Sequence, residues 1–415
     1  MTSNRDVARI LVTDTGRGSA ISIIRSLGRS GYEVVAADSN DQSLGFRSRY
    51  ASDTLLYPDP RSEPDRFCDC LLNAVREKGI DLVVPVTDWV IQPLARVREA
   101  FAPHTRLALA DNVALTQVIN KERTRQLAAG LGVPVPETRP VRSVGEALEA
   151  APRLGWPVVL KPQSSYQLGN GRETESFGVV YADSAIDLER KMTRFEGHCT
   201  VLLQEYHCGA GFGVEMLASR GRVLAAFQHR RLHEMPVTGG ASTYRESCAL
   251  DPQLYEFSAR LLAALEWTGL AMVEYKVGEG GPVLMEINGR VWGSLPLAIK
   301  SGMDFPRHLV RLLFEGESAF GHTPLRDYKL GVRSRDLLRD LTWISAILAQ
   351  HGRYPFLPIP RRRAAFTALL SLLDPRRKTD LGDWDDPLPA LLQVPRIVPH
   401  LLKKARSVRA EQAVG

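Results

Sequence analysis

The chain has 415 residues, of which 44% are hydrophobic and 24% are charged, and it carries a formal net charge of +6. This length allows two or three domains with a sizeable core, and the composition is that of an ordinary globular protein. No stretch approaches the roughly 18 uninterrupted apolar residues of a membrane span, and no apolar run of signal-peptide length precedes the first strand. The five cysteines form an odd, scattered set without a C-x-x-C pair, which argues against disulfides or a zinc site and predicts a cytoplasmic location.

The first 112 residues alternate strand-like and helix-like segments. Residues 8–13 read as a buried strand, 14–19 as a glycine turn, 20–30 as an amphipathic helix and 32–38 as a second strand ending in Asp38. This order is typical of a dinucleotide-binding unit, but T-G-R-G-S-A lacks the third glycine, so the motif supports NAD binding only weakly. Further strand-like segments at 81–86 and 107–109 predict a parallel sheet up to about residue 112.

The middle of the chain continues with mixed elements. Helices are predicted from Asp111 through Ala128 and from Ser143 to Leu154, separated by a segment rich in glycine and proline. Strands are predicted at 156–162, 178–181, 201–206, 213–217 and 223–227, with a polar loop at 164–171. After about residue 318 the composition shifts to Arg, Leu and Pro, which indicates a domain boundary.

Two acidic residues on neighbouring strands are the most informative feature. Glu274 and Glu286 lie in AMVEYKV and VLMEINGR, separated by a glycine-rich turn. If Val277 pairs with Val283, Glu274 faces Glu286 and Asn288 lies on the same side, because side chains alternate along a strand. Like charges opposed in this way repel, and two carboxylates with an amide oxygen suit Mg²⁺ or Mn²⁺ that carries nucleotide phosphates. The alternative is a pair of solvated acids on an exposed hairpin.

Two lysines are candidates for phosphate contacts. Lys161 ends an apolar strand and precedes a polar loop with Gly169 and Gly171, whose backbone N–H groups could close over phosphates. The alternative is a lysine that extends its charge into solvent at a sheet edge. Lys121 lies on a polar helix, where a lysine taken alone is usually a solvated surface residue.

The end of the strand at 201–206 could bind the base and sugar of a nucleotide. Gln204, Glu205 and His207 could hydrogen-bond an adenine edge, with Glu205 or Glu215 reaching a ribose. An ordinary glycine turn that leads out of the core is the alternative.

Several basic residues could face an anionic substrate. Arg230 and Arg231 precede a flexible loop with Gly239, Gly240 and Ser242, and arginines bind carboxylates bidentately, so this segment could seat an acidic substrate. An exposed basic strand explains it equally well.

Arg290 follows Asn288 by two residues and could stabilise charge that develops during a reaction. Its alternative role is that of a counter-ion to Glu286.

Five short motifs occur in order: N-K-E-R-T at Lys121, V-V-L-K-P at Lys161, L-Q-E-Y at Gln204, M-V-E-Y at Glu274 and M-E-I-N-G-R at Glu286. Together they resemble the ATP-grasp superfamily, in the branch around biotin carboxylase and the carbamoyl phosphate synthetase large subunit, over roughly residues 1–314. The resemblance implies a nucleotide held between two α+β subdomains, preceded by a Rossmann-like domain that has usually lost dinucleotide binding.

The resemblance also implies roles for individual residues. Lys121 and Lys161 would contact the ATP phosphates, and Gln204, Glu205 and His207 would contact the adenine. Glu274, Glu286 and Asn288 would hold Mg²⁺ or Mn²⁺, and Arg290 would face an acyl phosphate. The phosphate loop departs from the pattern because it has only Gly169 and Gly171. Ser294 stands where biotin carboxylases have a catalytic glutamate, which argues against bicarbonate carboxylation.

The predicted fold is α/β and α+β. A Rossmann-like domain with a parallel sheet (1–112) precedes an ATP-grasp domain (113–318, with subdomains 113–195 and 196–318) and a mainly helical C-terminal region (319–415). From Phe320 onward the chain has 17 Lys/Arg against 9 Asp/Glu. This excess is compatible with solvated surface, with peripheral membrane contact or with a helical cap over the active site. The acidic turn at 382–387 has no role that the sequence reveals.

The predicted function is that of an ATP- and Mg²⁺-dependent ligase, which joins a small-molecule carboxylate to an amine through an acyl phosphate and releases ADP and phosphate. An ATP-grasp carboxylase or phosphotransferase is the alternative among enzymes, and a nucleotide-binding regulatory or scaffold protein is the alternative outside them. No nucleic-acid partner is expected, and a homo-oligomer is left open.

Overall fold

The computed structural model describes residues 7–163, 179–237, 239–349, 360–374 and 376–401. These residues form two compact units. The first contains the described residues of Met1–Leu109, His229–Ala249 and Arg290–Gly415, and the second contains those of Ala110–Gln228 and Leu250–Gly289. Neither unit is continuous in sequence, and the domain bounds drawn from the sequence stay a prediction.

The N-terminal part of the first unit is an α/β layer structure. Its elements are β1 (Arg9–Val12), α1 (Gly18–Arg29), β2 (Glu33–Asp38), β3 (Asp53–Leu56), α2 (Pro64–Lys78), β4 (Leu82–Val84), α3 (Asp88–Arg96), α4 (Arg98–Phe101) and β5 (Arg106–Leu107). The strands form a parallel sheet in the order β3–β2–β1–β4–β5, which confirms the predicted parallel sheet. The central strands are almost wholly apolar, which allows their side chains to be buried on both faces of the sheet.

The second unit begins with two helices and an antiparallel sheet. Its elements here are α5 (Asn112–Ile119), α6 (Lys121–Gly130), β6 (Thr138–Val141), α7 (Val144–Leu154), β7 (Val158–Pro162), β8 (Val180–Ala182), α8 (Ala185–Met192) and β9 (Val201–Glu205). The sheet order is β6–β9–β7–β8, and one apolar cluster is formed by α7, α8 and this sheet. The continuous helix predicted from Asp111 is wrong at Asn120, whose side chain accepts a hydrogen bond from the Arg123 N–H and starts α6 as a new helix.

Long strands follow. The next elements are five strands and one helix, namely β10 (Ala210–Ser219), β11 (Arg222–Met235), β12 (Ala241–Cys248), α9 (Pro252–Ala264), β13 (Gly269–Gly278) and β14 (Gly281–Asn288). In the second unit the neighbouring strands are β14, β13, β10 and the first half of β11. Strand β11 begins in the second unit and ends in the first.

The C-terminal part of the first unit combines helices with two short strands. Its elements are α10 (Leu295–Lys300), α11 (Phe305–Glu315), β15 (Arg333–Arg335), α12 (Leu337–Leu348), α13 (Arg362–Leu370), β16 (Lys378–Thr379) and α14 (Leu388–Gln393). Short 3₁₀ turns lie at Leu44–Arg47, Glu317–Ala319, Ser371–Leu373 and Val394–Arg396. Strand β15 pairs antiparallel with β12 and parallel with β16. In the part of the chain that the structure describes, we find no helix with the length and apolarity needed to cross a bilayer.

The acidic turn at 382–387 anchors the C-terminal segment to α1. The Arg25 guanidinium donates through Nε to Asp386 Oδ2 at 2.8 Å, and both side chains are at most 3% exposed. Asp386 also accepts hydrogen bonds from the Ser48 hydroxyl at 2.7 Å and the Arg49 N–H at 3.0 Å. Through Asp386, the turn therefore makes a buried structural contact within the first unit, while Trp384 in the same turn is exposed.

Other residues of the same chain contact the glycine turn after β1 and use its hydrogen-bonding groups. Asp38 Oδ2 accepts hydrogen bonds from the Gly16 N–H at 2.6 Å and the Ser43 hydroxyl at 2.9 Å. A Cβ atom on Gly18 would lie 3.5 Å from Asp380 Cβ, so the C-terminal segment packs against the turn. The acidic residue that would hold a ribose in a dinucleotide site is thus engaged elsewhere, and the weak NAD interpretation gains no support.

Candidate active site

The hairpin of β13 and β14 brings the two predicted acidic residues together. Glu274 pairs with Glu286, and Met272 pairs with Asn288, as the sequence predicted. The pairing nearer the turn differs, because Val283 lies opposite Lys276 and not Val277. A register shift between these two regions is a β-bulge on β14, and it returns Glu286 to the position opposite Glu274.

Asn288 joins the two carboxylates. Its Nδ2 lies 2.9 Å from Glu274 Oε1 and 3.3 Å from Glu286 Oε1, so one hydrogen-bonding group lies between both acids. Rotation of the amide by half a turn would bring its oxygen to the same place.

This donor set fits a hard divalent cation, which favours carboxylate and carbonyl oxygens and takes further oxygens from phosphate or water. Among the residues that the structure describes, no group of three or more His, Cys, Asp or Glu side chains could hold a metal ion by itself. A cation held by Glu274, Glu286 and Asn288 would therefore need additional oxygen ligands, which a bound nucleotide can supply.

A pocket lies beside the hairpin in the second unit, and its empty volume is about 440 Å³ when the adjoining open solvent space is included. Four of the predicted site residues line it, namely Lys121, Lys161, Gln204 and Glu286. The rest of the lining is mainly apolar and consists of Val118, Thr124, Arg125, Val135, Pro136, Leu202, Leu284, Met285 and Ile287.

Lys161 is held in this pocket by a polar chain. Its Nζ donates a 2.7 Å hydrogen bond to Gln204 Oε1, and Gln204 Nε2 donates to Thr138 Oγ1 at 2.9 Å. Burial of the ammonium group lowers the pKa of Lys161 to about 8, against the opposing effect of Glu286 and Glu274. A phosphate that binds here would stabilise the charged form of Lys161, because the phosphate oxygens would replace the water molecules that the ammonium group loses on burial.

A third lysine acts on the same group. Lys121 and Lys276 both lower the pKa of Lys161 through charge repulsion. Lys276 also places its Nζ 5.5 Å from the centre of the Tyr206 ring. Sequence reasoning missed Lys276, although its position two residues after Glu274 puts it on the same face of β13 and could have revealed it.

The fold matches several solved structures. A biotin carboxylase from Campylobacter jejuni, solved as a complex with a β,γ-ATP ligand, has a TM-score of 0.61 at 18% identity and covers 79% of this chain and 74% of its own. An L-amino acid ligase from Bacillus licheniformis has a TM-score of 0.59 at 17% identity, covering 75% of this chain and 77% of its own. The chain has the ATP-grasp fold.

Comparison of sequences agrees with the ATP-grasp fold. Residues 198–333 match the family described as "ATP-grasp in the biosynthetic pathway with Ter operon". The carbamoyl phosphate synthase large chain of Thermus thermophilus is 27% identical over an alignment of 297 residues that covers 68% of this chain. The alignment spans only about a quarter of that relative, at 27% of its length.

Three residues predicted to bind ATP do not line the pocket. Glu205 Oε1 accepts from the Glu137 N–H at 2.9 Å, while the Glu205 N–H donates to Glu137 O at the same distance. His207 Nε2 is buried without a hydrogen-bond partner in the described chain. Glu215 is fully buried on β10, opposite Met272. Their roles in an ATP-grasp site stay predictions.

Arg290 lies in the first unit. Its Nε donates to Asp88 Oδ2 at 2.8 Å, and its Nη1 donates to Val291 O at 3.1 Å. Asp88 is the first residue of α3 and was not predicted as a partner. The ion pair holds the guanidinium at the carboxyl end of β4, where open α/β sheets commonly present ligand-binding groups.

The predicted substrate segment also lies in the first unit. Arg230 Nε donates to Glu246 Oε2 at 2.7 Å, and Arg333 Nε donates to Glu246 Oε1 at 2.7 Å, so two guanidinium groups share one carboxylate. Arg231 Nη1 donates to Gly240 O at 3.1 Å and to Glu234 Oε1 at 3.2 Å, which braces the loop.

In the same loop, the Gly239 N–H donates to Pro236 O, and Ser242 O accepts from Arg245 Nη1. The predicted phosphate loop with Gly169 and Gly171 lies outside the described residues, as does Thr238 in the substrate loop.

Proposed function

We propose that the protein is an ATP- and Mg²⁺-dependent ligase that joins a carboxylate to an amine through an acyl phosphate and releases ADP and phosphate. The observation that carries the proposal is the position of Lys161, in a pocket with Glu286 and under the electrostatic influence of Glu274, Glu286 and Lys121. Opposed carboxylates beside several lysines suit a triphosphate that is bound together with a divalent cation.

In this proposal the lysines bind the phosphates. Lys121 and Lys161 would each neutralise part of the triphosphate charge, and Gln204 would keep the Lys161 ammonium group aimed into the pocket. Glu274, Glu286 and Asn288 would hold Mg²⁺ or Mn²⁺, which when bound supplies charge neutralisation at the phosphate oxygens. The apolar walls from Val118, Leu202 and Ile287 are suited to a planar base.

The chemistry proceeds by two transfers. An oxygen of the substrate carboxylate attacks the γ-phosphorus, its P–O bond forms, and the bond to the leaving ADP breaks. The amine nitrogen then attacks the carbonyl carbon, the C–N bond forms, and phosphate leaves with the C–O electron pair. The chain contributes positioning and charge stabilisation, so no side-chain nucleophile is required. Arg290, aligned by Asp88, would stabilise the acyl phosphate.

The similarity to an L-amino acid ligase and a carbamoyl phosphate synthase large chain supports ligase chemistry. Ser294, which precedes α10 and is 5% exposed, offers no carboxylate at the position where the family resemblance implies the catalytic glutamate of a biotin carboxylase. This favours amide formation over carboxylation. A cytoplasmic location and a homo-oligomeric state stay predictions, and no nucleic-acid partner is part of the proposal.

The test is a substrate screen. Purified full-length protein with ATP and Mg²⁺ is incubated with pooled carboxylates and amines, and ADP, phosphate and the mass of any condensed product are measured. We expect ADP formation that depends on one carboxylate pool and an amide product when the right amine is added. Binding of ATP without carboxylate-dependent ADP formation in any pool would favour a regulatory protein. A phosphorylated hydroxyl product would indicate a phosphotransferase.

A further inference from the structure

Lys276, on β13 in the second unit, holds its ammonium group against an aromatic ring. Its Nζ lies 5.5 Å from the centre of the Tyr206 ring, and the Tyr181 ring packs edge-on against Tyr206 with ring centres 5.9 Å apart. Among the residues that the structure describes, no carboxylate lies within ion-pairing distance of Lys276, although Glu274 is only two residues away. The nearest stabilising group that the structure shows for this half-buried cation is therefore the face of a ring.

The position of Lys276 follows from two chain segments that continue past the pocket. On β13, Lys276 lies two residues after Glu274, so both side chains are on the same face, about 7 Å apart along the strand. Tyr206 comes two residues after Gln204, whose side chain holds Lys161 in the pocket. The contact between Lys276 and Tyr206 is thus two residues further along each segment than the groups that we propose to bind the cation and the phosphates.

Three ammonium groups are collected in this region of the second unit. Lys121 and Lys161 line the pocket, and Lys276 is close enough to act on Lys161, whose pKa it lowers through repulsion. Like charges held near one another are unfavourable unless an anion lies between them. A nucleotide polyphosphate would turn this repulsion into attraction, since it carries several negative charges close together.

We propose that Lys276 is a third phosphate-binding residue, with Tyr206 as the residue that positions its ammonium group. The proposal rests on the function proposed above and deepens it, because it gives the polyphosphate a contact at a residue outside the five sequence motifs. The Tyr206 ring attracts the ammonium group without supplying a negative charge. Lys276 is thereby kept from pairing with Glu274, so the acid stays available to a divalent cation and the lysine to a phosphate oxygen.

The test is a series of nucleotides, with binding measured by isothermal titration calorimetry on the full-length protein in the presence of Mg²⁺. Lys276→Met removes the charge but keeps a side chain of similar length. We expect Lys276→Met to weaken the binding of ATP and ADP by about 10-fold or more, because a hydrogen bond between charged groups contributes this much. Its affinity for adenosine should stay within about 2-fold of that of the wild type.

Three further variants separate charge from structure. Lys276→Arg keeps a cation that can lie on the Tyr206 ring, so its ATP affinity should stay within about 3-fold of that of the wild type. Tyr206→Leu removes the ring, and we expect it to weaken ATP binding more than adenosine binding. Arg153→Met is the matched control, because it removes one positive charge from an exposed position on α7 in the same unit and should leave all three affinities unchanged.

Two results would overturn the proposal. An equal loss of affinity for adenosine and ATP in Lys276→Met would mean that the lysine has a structural role. An unchanged ATP affinity in this variant would mean that the lysine does not contact the phosphates.

The outcome also distinguishes the two proposals. If the wild type binds ATP and Lys276→Met binds it equally well, the role of Lys276 is wrong and the ligase function stands. If Lys276→Met loses affinity for ATP and ADP alone, but no carboxylate stimulates ADP formation by the wild type, the phosphate contact stands and the ligase function fails.

Discussion

Lys161 Nζ and Gln204 Oε1 are 2.7 Å apart across the adjacent strands β7 and β9. The hydrogen bond directs the half-buried Lys161 ammonium group into the pocket that also contains Glu286. A lysine confined in this way depends on its charge state for phosphate binding, and this gives the site a measurable dependence on pH.

ATP affinity should therefore weaken as pH rises through about 8. Burial, reinforced by Lys121 and Lys276, lowers the pKa of Lys161 to about 8, so the group is charged below this pH and neutral above it. Because phosphate binds the charged form, the dissociation constant for ATP should be constant below about pH 8 and rise above it. Isothermal titration calorimetry with ATP between pH 6.5 and 9.5 measures this.

Lys161→Arg is the control for this effect, since a guanidinium stays charged over the whole range. Its ATP affinity should be lower at neutral pH but nearly independent of pH. Parallel curves for the wild type and this variant would show that Lys161 is not the titrating group.

Neutralising either acid of the hairpin should abolish most turnover. Glu274→Gln and Glu286→Gln each remove a charged cation ligand, and a loss of several kcal/mol of stabilisation corresponds to a decrease of about 100-fold or more in ADP formation. The matched control is Glu279→Gln, which changes an exposed acid in the turn of the same hairpin. ADP formation is measured over a series of Mg²⁺ concentrations. A Glu279 variant as inactive as the other two would contradict a specific cation site.

Arg290 should matter more for turnover than for nucleotide binding. Arg290→Lys keeps the charge but loses the planar group that Asp88 aligns through Nε, so we expect about 100-fold lower kcat with ATP affinity little changed. Arg311→Lys, in the exposed Arg311–Glu315 pair of α11, serves as the control. A loss of ATP affinity as large as the loss of kcat would assign Arg290 to nucleotide binding.

The C-terminal anchor should be important for stability. Asp386→Ala leaves Arg25 as a buried cation without its carboxylate, which typically costs about 3–5 kcal/mol. Asp383→Ala removes only a half-exposed partner of Arg29 and should cost less than about 1 kcal/mol. The midpoint of thermal unfolding compares the two, and similar small shifts would show that the Arg25–Asp386 pair contributes little.

Local patterns explain what could be predicted. The parallel sheet followed from buried strand runs. The pairing of Glu274 with Glu286 was predicted from a regular ladder, whereas the structure reaches the same pairing through a tighter turn and a bulge on β14. Both depend on neighbours in sequence. The break at Asn120 was missed because a capping residue inside a helical pattern resembles an ordinary polar position.

Long-range contacts explain what could not be predicted. Asp386 lies 361 residues after Arg25. No period or motif connects such pairs, since only the folded chain brings them together. The same holds for Asp88, which lies 202 residues before Arg290.

The bulge on β14 has a consequence for how this hairpin tolerates change. If the same residues continued the regular ladder that starts with Lys276 opposite Val283, without a bulge, Met285 would lie opposite Glu274 and Glu286 would point to the other side of the sheet. A thioether would then stand where a carboxylate is needed. Substitutions that smooth this irregularity should thus inactivate the protein while leaving every acidic residue in the chain, and an alignment that checks only residue identities would overlook the defect.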